Sequence, residues 1–283
     1  MNRKSGTELI LMLGLIFVVQ ACSAIQPPAA NGPRTNEPLY PVLLTEDPQR
    51  RDASRTLFKQ LVQRSDQQSQ ADLSLRSVTA TVEKLPTDSR LTIYLPRIGT
   101  GTAMTEDEIR ESLRRFINDW QGLLGADPSQ LSLITRSDQP DGTKLGSYEQ
   151  RAFRFPLRGG YGNLQIQFAA DRRLINVASS CIPEAGRLEA KLDDISPQIT
   201  QEEATSRLLD SGLKYVDSSG KELSYKPTAS NVVNVRELVI YVRPAPTRTD
   251  ALEFHLAWQI EIAAAPVKTA YLDAVNGQML AAE

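Results

Sequence analysis

The chain has 283 residues, 41% of them hydrophobic and 23% charged, which is ordinary for a folded protein of one or two domains. Its 32 basic and 34 acidic residues give a formal net charge of -2, a balance that argues against nucleic-acid binding through charge. The single histidine excludes a zinc helix of the HExxH type within this sequence, because that motif requires two histidines one helical turn apart.

The first residues have the layout of a secretory signal. Two basic residues, Arg3 and Lys4, precede an apolar run over residues 9–19. That run is too short to span a bilayer of roughly 30 Å as a helix. It ends in Val19-Gln20-Ala21-Cys22, which resembles the bacterial lipobox, in which the cysteine is acylated and becomes the new N-terminus.

The lipobox predicts a signal peptide over residues 1–21 and lipid attachment at Cys22. The alternative is an ordinary signal peptide cleaved near Ala24, with the cysteine incidental. Residues 22–48 are rich in Pro, Ala, Asn and Gly and predict a lipid-anchored flexible linker, since such a composition buries too little apolar surface to fold. The expected location is the cell envelope, and the outer membrane if the cell has one, because no aspartate follows the cysteine as an inner-membrane retention signal.

Residues 49–98 are predicted to form an N-terminal helix and hairpin section. Between Arg50 and Gln67, four apolar residues share one helical face: Leu57, Phe58, Leu61 and Val62. Residues 73–85 and 91–98 have the composition of two strands, joined through the turn sequence Pro86-Thr87-Asp88-Ser89.

A capping box then begins a second helix, since the Thr105 hydroxyl can cap the amide of Glu108 while the glutamate reaches back. Its apolar stripe is Ile109, Leu113, Phe116, Ile117, Trp120 and Leu124. Gly125 is the predicted end of this helix, with Pro128 just beyond. Strands are predicted to follow over residues 131–135, 148–157, 163–170 and 173–182.

The turn sequence Gly159-Gly160-Tyr161-Gly162 lacks the spacing of a phosphate loop and is predicted to join two strands. A second capping box, at Thr200 and Glu203, begins a helix that carries Ala204, Leu208 and Leu209 toward Gly212. Strands over residues 221–227 and 236–244 are predicted after it.

The C-terminal stretch has the clearest strand pattern, with every second residue apolar: Phe254, Leu256, Trp258, Ile260 and Ile262. After Pro266 a second strand is predicted over residues 268–273, and Asn276-Gly277 is expected to supply the positive φ angles of a tight hairpin turn. A capped helix followed by antiparallel strands thus occurs twice, beginning near Thr105 and Thr200. This order predicts an α+β fold in which each helix covers one face of a mostly antiparallel sheet.

These segments resemble the propeptide region of thermolysin-like and fungalysin-like metallopeptidases, which carries an FTP module followed by a PepSY module. The FTP-like features are residues 114–134, Tyr161-Gly162-Asn163-Leu164, residues 171–177 and Pro183. The PepSY-like features are residues 195–209, 236–242, 256–262 and 270–280. The resemblance assigns structural roles to six motif positions: Tyr161, Gly162, Trp258, Asp273, Ala274 and Gly277.

The resemblance implies an FTP-like module over residues 99–183 and a PepSY-like module over residues 184–283, each a cystatin-like unit of a helix and an antiparallel sheet. In that family the modules contact the peptidase, inhibit it and assist its folding. The family normally continues into a peptidase with an HExxH helix, so the resemblance implies a stand-alone lipoprotein without the peptidase domain. Arg172 stands where the family tends to have glycine, so that hairpin is expected to differ in type.

Few residues are candidates for chemistry, and each has an ordinary structural explanation. His255 is in register with the polar residues Gln259 and Glu261, so we expect a surface or edge residue rather than a contact with a partner. Cys181 cannot pair with an acylated Cys22, and we expect a buried or half-buried structural thiol.

Two acidic pairs, Asp193-Asp194 and Glu202-Glu203, lack the spacing of a calcium loop. Tyr225 and Tyr241 are expected with Trp258 in the sheet core rather than in a ligand cage. The sequence also has no Gly-x-Ser-x-Gly elbow. We therefore expect no enzymatic activity, no catalytic residue, and no metal or cofactor.

We expect a non-catalytic envelope lipoprotein attached to the membrane through acylated Cys22. By analogy with the family it would bind an exported metallopeptidase or another envelope protein, inhibit it or assist its folding, and bind no nucleic acid. An exposed sheet edge that accepts an extended peptide is the simplest mode of binding. The alternative is a structural or assembly lipoprotein with no link to a protease.

Overall fold

The computed structural model describes residues 39–63, 72–86, 91–101, 104–217, 219–228 and 231–283. The predicted signal peptide, the lipid-attachment residue Cys22 and the first part of the predicted linker lie outside these ranges. Within the described ranges, no helix is both long and apolar enough to cross a membrane.

The protein is an α+β fold of helices and mainly antiparallel sheets. Its helices are α1 (Pro48–Gln63), α2 (Glu106–Leu124), α3 (Ala185–Asp193) and α4 (Gln201–Ser211), with a short 3₁₀ helix at Pro128–Gln130. The strands before α3 are β1 (Val42–Thr45), β2 (Ser74–Leu75), β3 (Val82–Lys84), β4 (Leu131–Asp138), β5 (Lys144–Gln150), β6 (Leu157–Arg158), β7 (Asn163–Phe168) and β8 (Leu174–Ser179). Those after α4 are β9 (Leu213–Val216), β10 (Glu222–Tyr225), β11 (Val233–Pro244), β12 (Ala251–Ile262), β13 (Thr269–Asp273) and β14 (Met279–Ala282).

The larger sheet has six strands in the order β14-β13-β12-β11-β6, with β1 paired to the start of β12. A four-stranded sheet has the order β4-β5-β7-β8, and β9-β10 and β2-β3 are separate two-stranded pairs. All pairs are antiparallel except β6 with β11.

Helix α2 covers the four-stranded sheet, and its capping box is present as predicted. Glu108 donates its amide to Thr105 Oγ1 at 3.3 Å, and the Glu108 carboxylate accepts the Thr105 amide at 2.7 Å. Gly125 ends the helix with a φ of 76°. All six predicted stripe residues are buried, and they pack against Leu164, Ile166 and Phe168 of β7.

Helix α4 covers the six-stranded sheet in the same way. Its capping box at Thr200 and Glu203 is present, and Ala204 and Leu208 join the core cluster of Trp258. The sequence patterns did not predict α3, whose Leu188 and Leu192 belong to a further cluster together with Val42 and Leu44 of β1.

Several predicted boundaries were wrong. Residues 73–85 form not one strand but the hairpin β2-β3, with a turn at Ser77–Thr79. Residues 148–157 are divided between β5 and β6 by an irregular segment. The predicted linker is also shorter than expected, because Val42–Thr45 is strand β1 and buries two of its side chains.

Candidate binding site

The motif residues of the C-terminal hairpin tie the start of α4 to the sheet. Trp258 Nε1 donates to the carbonyl of Ile199 at 2.8 Å. The carbonyl of Ala274 accepts the amides of Gln198 at 2.7 Å and Ile199 at 2.9 Å. These contacts fix the segment directly before the capping residue Thr200.

Asp273 and Gly277 shape the hairpin turn. Asp273 Oδ1 accepts the amides of Val275 at 2.8 Å and Asn276 at 3.0 Å, and the Gly277 amide donates to the Asp273 carbonyl at 2.9 Å. Gly277 has a φ of 76°, whereas Asn276 is not among the residues with positive φ. The prediction that both turn residues have positive φ was therefore wrong, because the Asp273 side chain stabilises a different turn.

Tyr161 and Gly162 lie in the turn between β6 and β7. The Gly162 amide donates to the Ser180 carbonyl at 2.9 Å, and its carbonyl accepts the Gln150 amide at 2.7 Å. Gly162 has a φ of 80°, and a Cβ there would lie 2.7 Å from Leu157 Cδ1. Tyr161 is half-buried beside the cluster that contains Leu157. The left-handed backbone and the short distance to Leu157 both favour glycine at position 162.

Arg172 keeps a backbone conformation that normally favours glycine, with a φ of 75°. Its amide donates to the Ala169 carbonyl at 2.9 Å, and Nη1 donates to the Leu95 carbonyl at 3.0 Å. The backbone at Arg172 is thus left-handed, and its side chain donates a hydrogen bond to the segment that contains Leu95.

His255 is 2% exposed, so the prediction of a surface or edge residue was wrong. Its Nδ1 lies 2.8 Å from Asp273 Oδ2, and its Nε2 lies 3.1 Å from Glu253 Oε2. Tyr40 donates its hydroxyl to the same Asp273 oxygen at 2.8 Å, and Arg243 Nε donates to Glu253 at 3.1 Å. We call Tyr40, Arg243, Glu253, His255 and Asp273 the strap network. Tyr40 lies directly before β1, and its hydrogen bond to Asp273 attaches this part of the chain to the six-stranded sheet.

Each contact in the strap network can join a hydrogen-bond donor to an acceptor. The two ring nitrogens of His255 each lie within hydrogen-bond distance of a different carboxylate, so His255 connects Asp273 with Glu253. Burial opposes ionisation of Asp273, but hydrogen bonds from His255, Asn276, Val275 and Tyr40 outweigh it and hold the pKa of Asp273 below its ordinary value. Burial and the neighbouring Asp273 charge raise the pKa of Tyr40, which keeps its hydroxyl a donor.

The lowered pKa of Asp273 predicts acid sensitivity with a definite sign. Its carboxylate stabilises the fold above the unfolded-state pKa of about 4, and this contribution is lost as pH falls through the lower folded-state pKa. The difference in unfolding free energy between wild type and Asp273→Asn should therefore shrink from about pH 7 to about pH 3. Urea denaturation at several pH values measures it, and a constant difference would contradict this assignment.

Cys181 is fully buried, as predicted, and burial raises the pKa of its thiol to about 11. We expect iodoacetamide at about pH 8 to leave Cys181 unmodified in the folded protein and to modify it after denaturation. Mass spectrometry of the peptide that contains Cys181 measures the modification. Rapid labelling without denaturant would show that the thiol is accessible.

No group of three or more His, Cys, Asp or Glu side chains in the described ranges could hold a metal ion. Glu203 serves the capping box. Tyr225 is half-buried against the core near Trp258, whereas Tyr241 packs on the opposite face of the sheet with Tyr271, 4.6 Å between ring centroids. Open strand edges and surface grooves are another kind of candidate binding site.

Strand β4 is one open edge, since it pairs with β5 alone. Leu133 is 39% exposed and Ile134 is 55% exposed. However, a bulge interrupts β4 at Ile134, and Arg136 and Asp138 form ion pairs with Glu106 and Lys144. Bulges and charges are the usual protection of an edge strand, so β4 is a weak candidate for strand pairing.

A surface groove of about 540 Å³ lies beside β14, the edge strand of the six-stranded sheet. We call it the β14 groove, and six of its lining residues are Leu213, Lys214, Tyr225, Lys226, Met279 and Leu280. Strand β9 is a neighbour of β14, but no strand pairing joins these two described strands. A second cavity of about 550 Å³ lies beside Leu39–Leu43, where the described chain begins.

The outer edge of β14 has free backbone groups. Thr269 and Glu283 exchange backbone hydrogen bonds of 2.9 Å and 2.8 Å, so strand alternation turns the amide and carbonyl of Ala282 away from β13. Leu280 is the extra residue of a bulge and lines the groove. The groove therefore brings an edge strand, several apolar residues and two lysines together. The sequence predicted the hairpin but not the groove.

Comparison with known proteins assigns no family to this arrangement. A scan against protein-family models found no match to the chain. A search of the curated proteins also found no match.

Proposed function

We propose that the protein is a non-catalytic lipoprotein of the cell envelope, anchored through acylated Cys22, that binds an extended segment of an exported protein. The lipobox-like sequence supports the anchor. The FTP-like and PepSY-like sequence features support a cystatin-like fold for residues 99–183 and for residues 184–283. They also support an exported metallopeptidase as the partner. Binding would inhibit that partner or assist its folding.

The observation that carries this proposal is the β14 groove. An extended peptide can add to a sheet edge through backbone hydrogen bonds, while alternate side chains occupy neighbouring pockets. Ala282, which follows the lining residue Ala281, offers the backbone groups, and Leu213, Met279 and Leu280 offer apolar surface in the groove. Strand addition of this kind needs no catalytic residue.

Site-specific photo-crosslinking in intact cells tests the proposal. A photoreactive residue replaces Leu280 in the groove, and the matched control replaces Leu133 on the other open edge. We expect Leu280 to capture an exported protein that Leu133 does not capture. Mass spectrometry identifies the captured protein and the crosslinked segment.

Two variants of Ala282 connect the capture to strand addition. Proline is tolerated on an edge strand where the amide faces away from the sheet, but it removes the outward donor. Ala282→Pro should abolish the capture, whereas Ala282→Val should retain it. Capture at Leu133 alone would overturn the proposed site, and capture of only wall or assembly components would favour a structural lipoprotein.

A further inference from the structure

We propose that the segment bound in the β14 groove is acidic, with carboxylate side chains that face Lys214 and Lys226. This inference rests on the proposed function and adds the chemistry of the partner. Lys214 lies opposite Ser224 in the β9-β10 pair, and Lys226 follows β10 directly. Both lysines line the groove, and none of its described lining residues is acidic.

The two lysines are available for a partner. Lys214 forms an ion pair with Glu222 at 2.9 Å, but the two side chains are 75% and 64% exposed. Exposed pairs of this kind contribute little free energy, so Lys214 can exchange this partner at small cost. Within the described ranges, Lys226 has no ion pair.

The groove is lined by basic residues, whereas the protein as a whole has a small net negative charge. The chain has a formal net charge of -2, so a groove lined by two lysines, of which only Lys214 has an acidic partner in the described ranges, is a local basic feature. The apolar lining residues are Leu213 and Met279, which pack on the sheet face that α4 covers, and Leu280, which packs on the opposite face. Side chains of a strand alternate between two faces, so a segment that alternates acidic and apolar residues fits both features.

Fluorescence anisotropy with defined peptides tests the charge preference. The full-length chain in detergent micelles is titrated against three labelled seven-residue peptides that alternate valine with glutamate, glutamine or lysine. We expect the glutamate peptide to bind about fivefold more tightly than the glutamine peptide, because two exposed ion pairs each contribute modestly. This difference in affinity should disappear as the salt concentration is raised from about 0.05 M to about 0.5 M, because salt screens exposed charges.

Matched variants assign the preference to the groove. The double variant Lys214→Glu, Lys226→Glu should reverse the order of the glutamate and lysine peptides, whereas Lys84→Glu at an exposed position of β3 should leave it unchanged. If wild type bound all three peptides equally and Ala282→Pro bound none of them, the charge preference would be overturned. The groove would then remain a peptide-binding site. Binding of none of them would contradict both proposals. Lysine-dependent binding to anionic lipid vesicles without peptide binding would assign the groove to a membrane surface.

Discussion

Replacing Asp273 with alanine is expected to destabilise the protein by about 3–5 kcal/mol, because the change removes the nearer of the two carboxylates that contact the buried His255. It also removes the acceptor for the hydroxyl of Tyr40 and for the amides of Val275 and Asn276. Urea denaturation of both proteins at neutral pH measures the difference.

Asp217→Ala is the matched control for this prediction. Asp217 also caps a hairpin turn, accepting the amides of Ser219 and Lys221, but it has no buried histidine beside it. We expect Asp217→Ala to change stability much less than Asp273→Ala. Equal effects of the two substitutions would mean that turn capping, and not the strap network, accounts for the loss.

Gly162→Ala is expected to cost about 2–4 kcal/mol, from the left-handed backbone and from overpacking against Leu157. The new Cβ would lie 2.7 Å from Leu157 Cδ1 and 3.1 Å from Leu157 Cβ, both atoms of a buried side chain. Thermal or urea denaturation measures the loss.

Gly160→Ala separates the two causes. Gly160 has a φ of 82°, close to the 80° of Gly162, but a Cβ at position 160 would meet no atom within 4 Å. The backbone cost alone, about 1–2 kcal/mol, should therefore remain. If Gly160→Ala and Gly162→Ala were equally destabilising, contact with Leu157 would not contribute.

Local signals predicted much of the fold. The capping boxes at Thr105 and Thr200 depend on residues only three positions apart, so the start of both helices could be read from the sequence. The alternation of Leu164, Ile166 and Phe168 likewise reported one buried face of β7. Where one turn of helix or one strand face determines the structure, a short sequence pattern is sufficient.

Non-local contacts account for the errors. His255 appeared to lie on a polar face because its neighbours in the strand are polar, while the residues that bury it include Tyr40, which lies 215 positions away. Strand β1 was assigned to a linker because its partner β12 begins some two hundred residues later. Helix α3 is short and was missed, although Leu188 and Leu192 have helical spacing and are buried.

The candidate site could be predicted only in outline. An open sheet edge was expected from the sequence, but the groove requires β9 and β10 to lie beside β14, more than fifty residues later in the chain. Lys214 and Lys226 showed no pattern that related them to Met279 and Leu280. Their proximity is a property of the fold.

Hydrogen exchange at the C-terminal hairpin tests the central claim, that a partner segment adds to the edge of β14. In the free protein the outward amide of Ala282 should exchange rapidly, since strand alternation turns it away from β13. Mass spectrometry of the peptide over residues 275–283 should show slower exchange once the partner segment captured at Leu280 is bound. Unchanged exchange there, with slower exchange in β4 instead, would contradict the account.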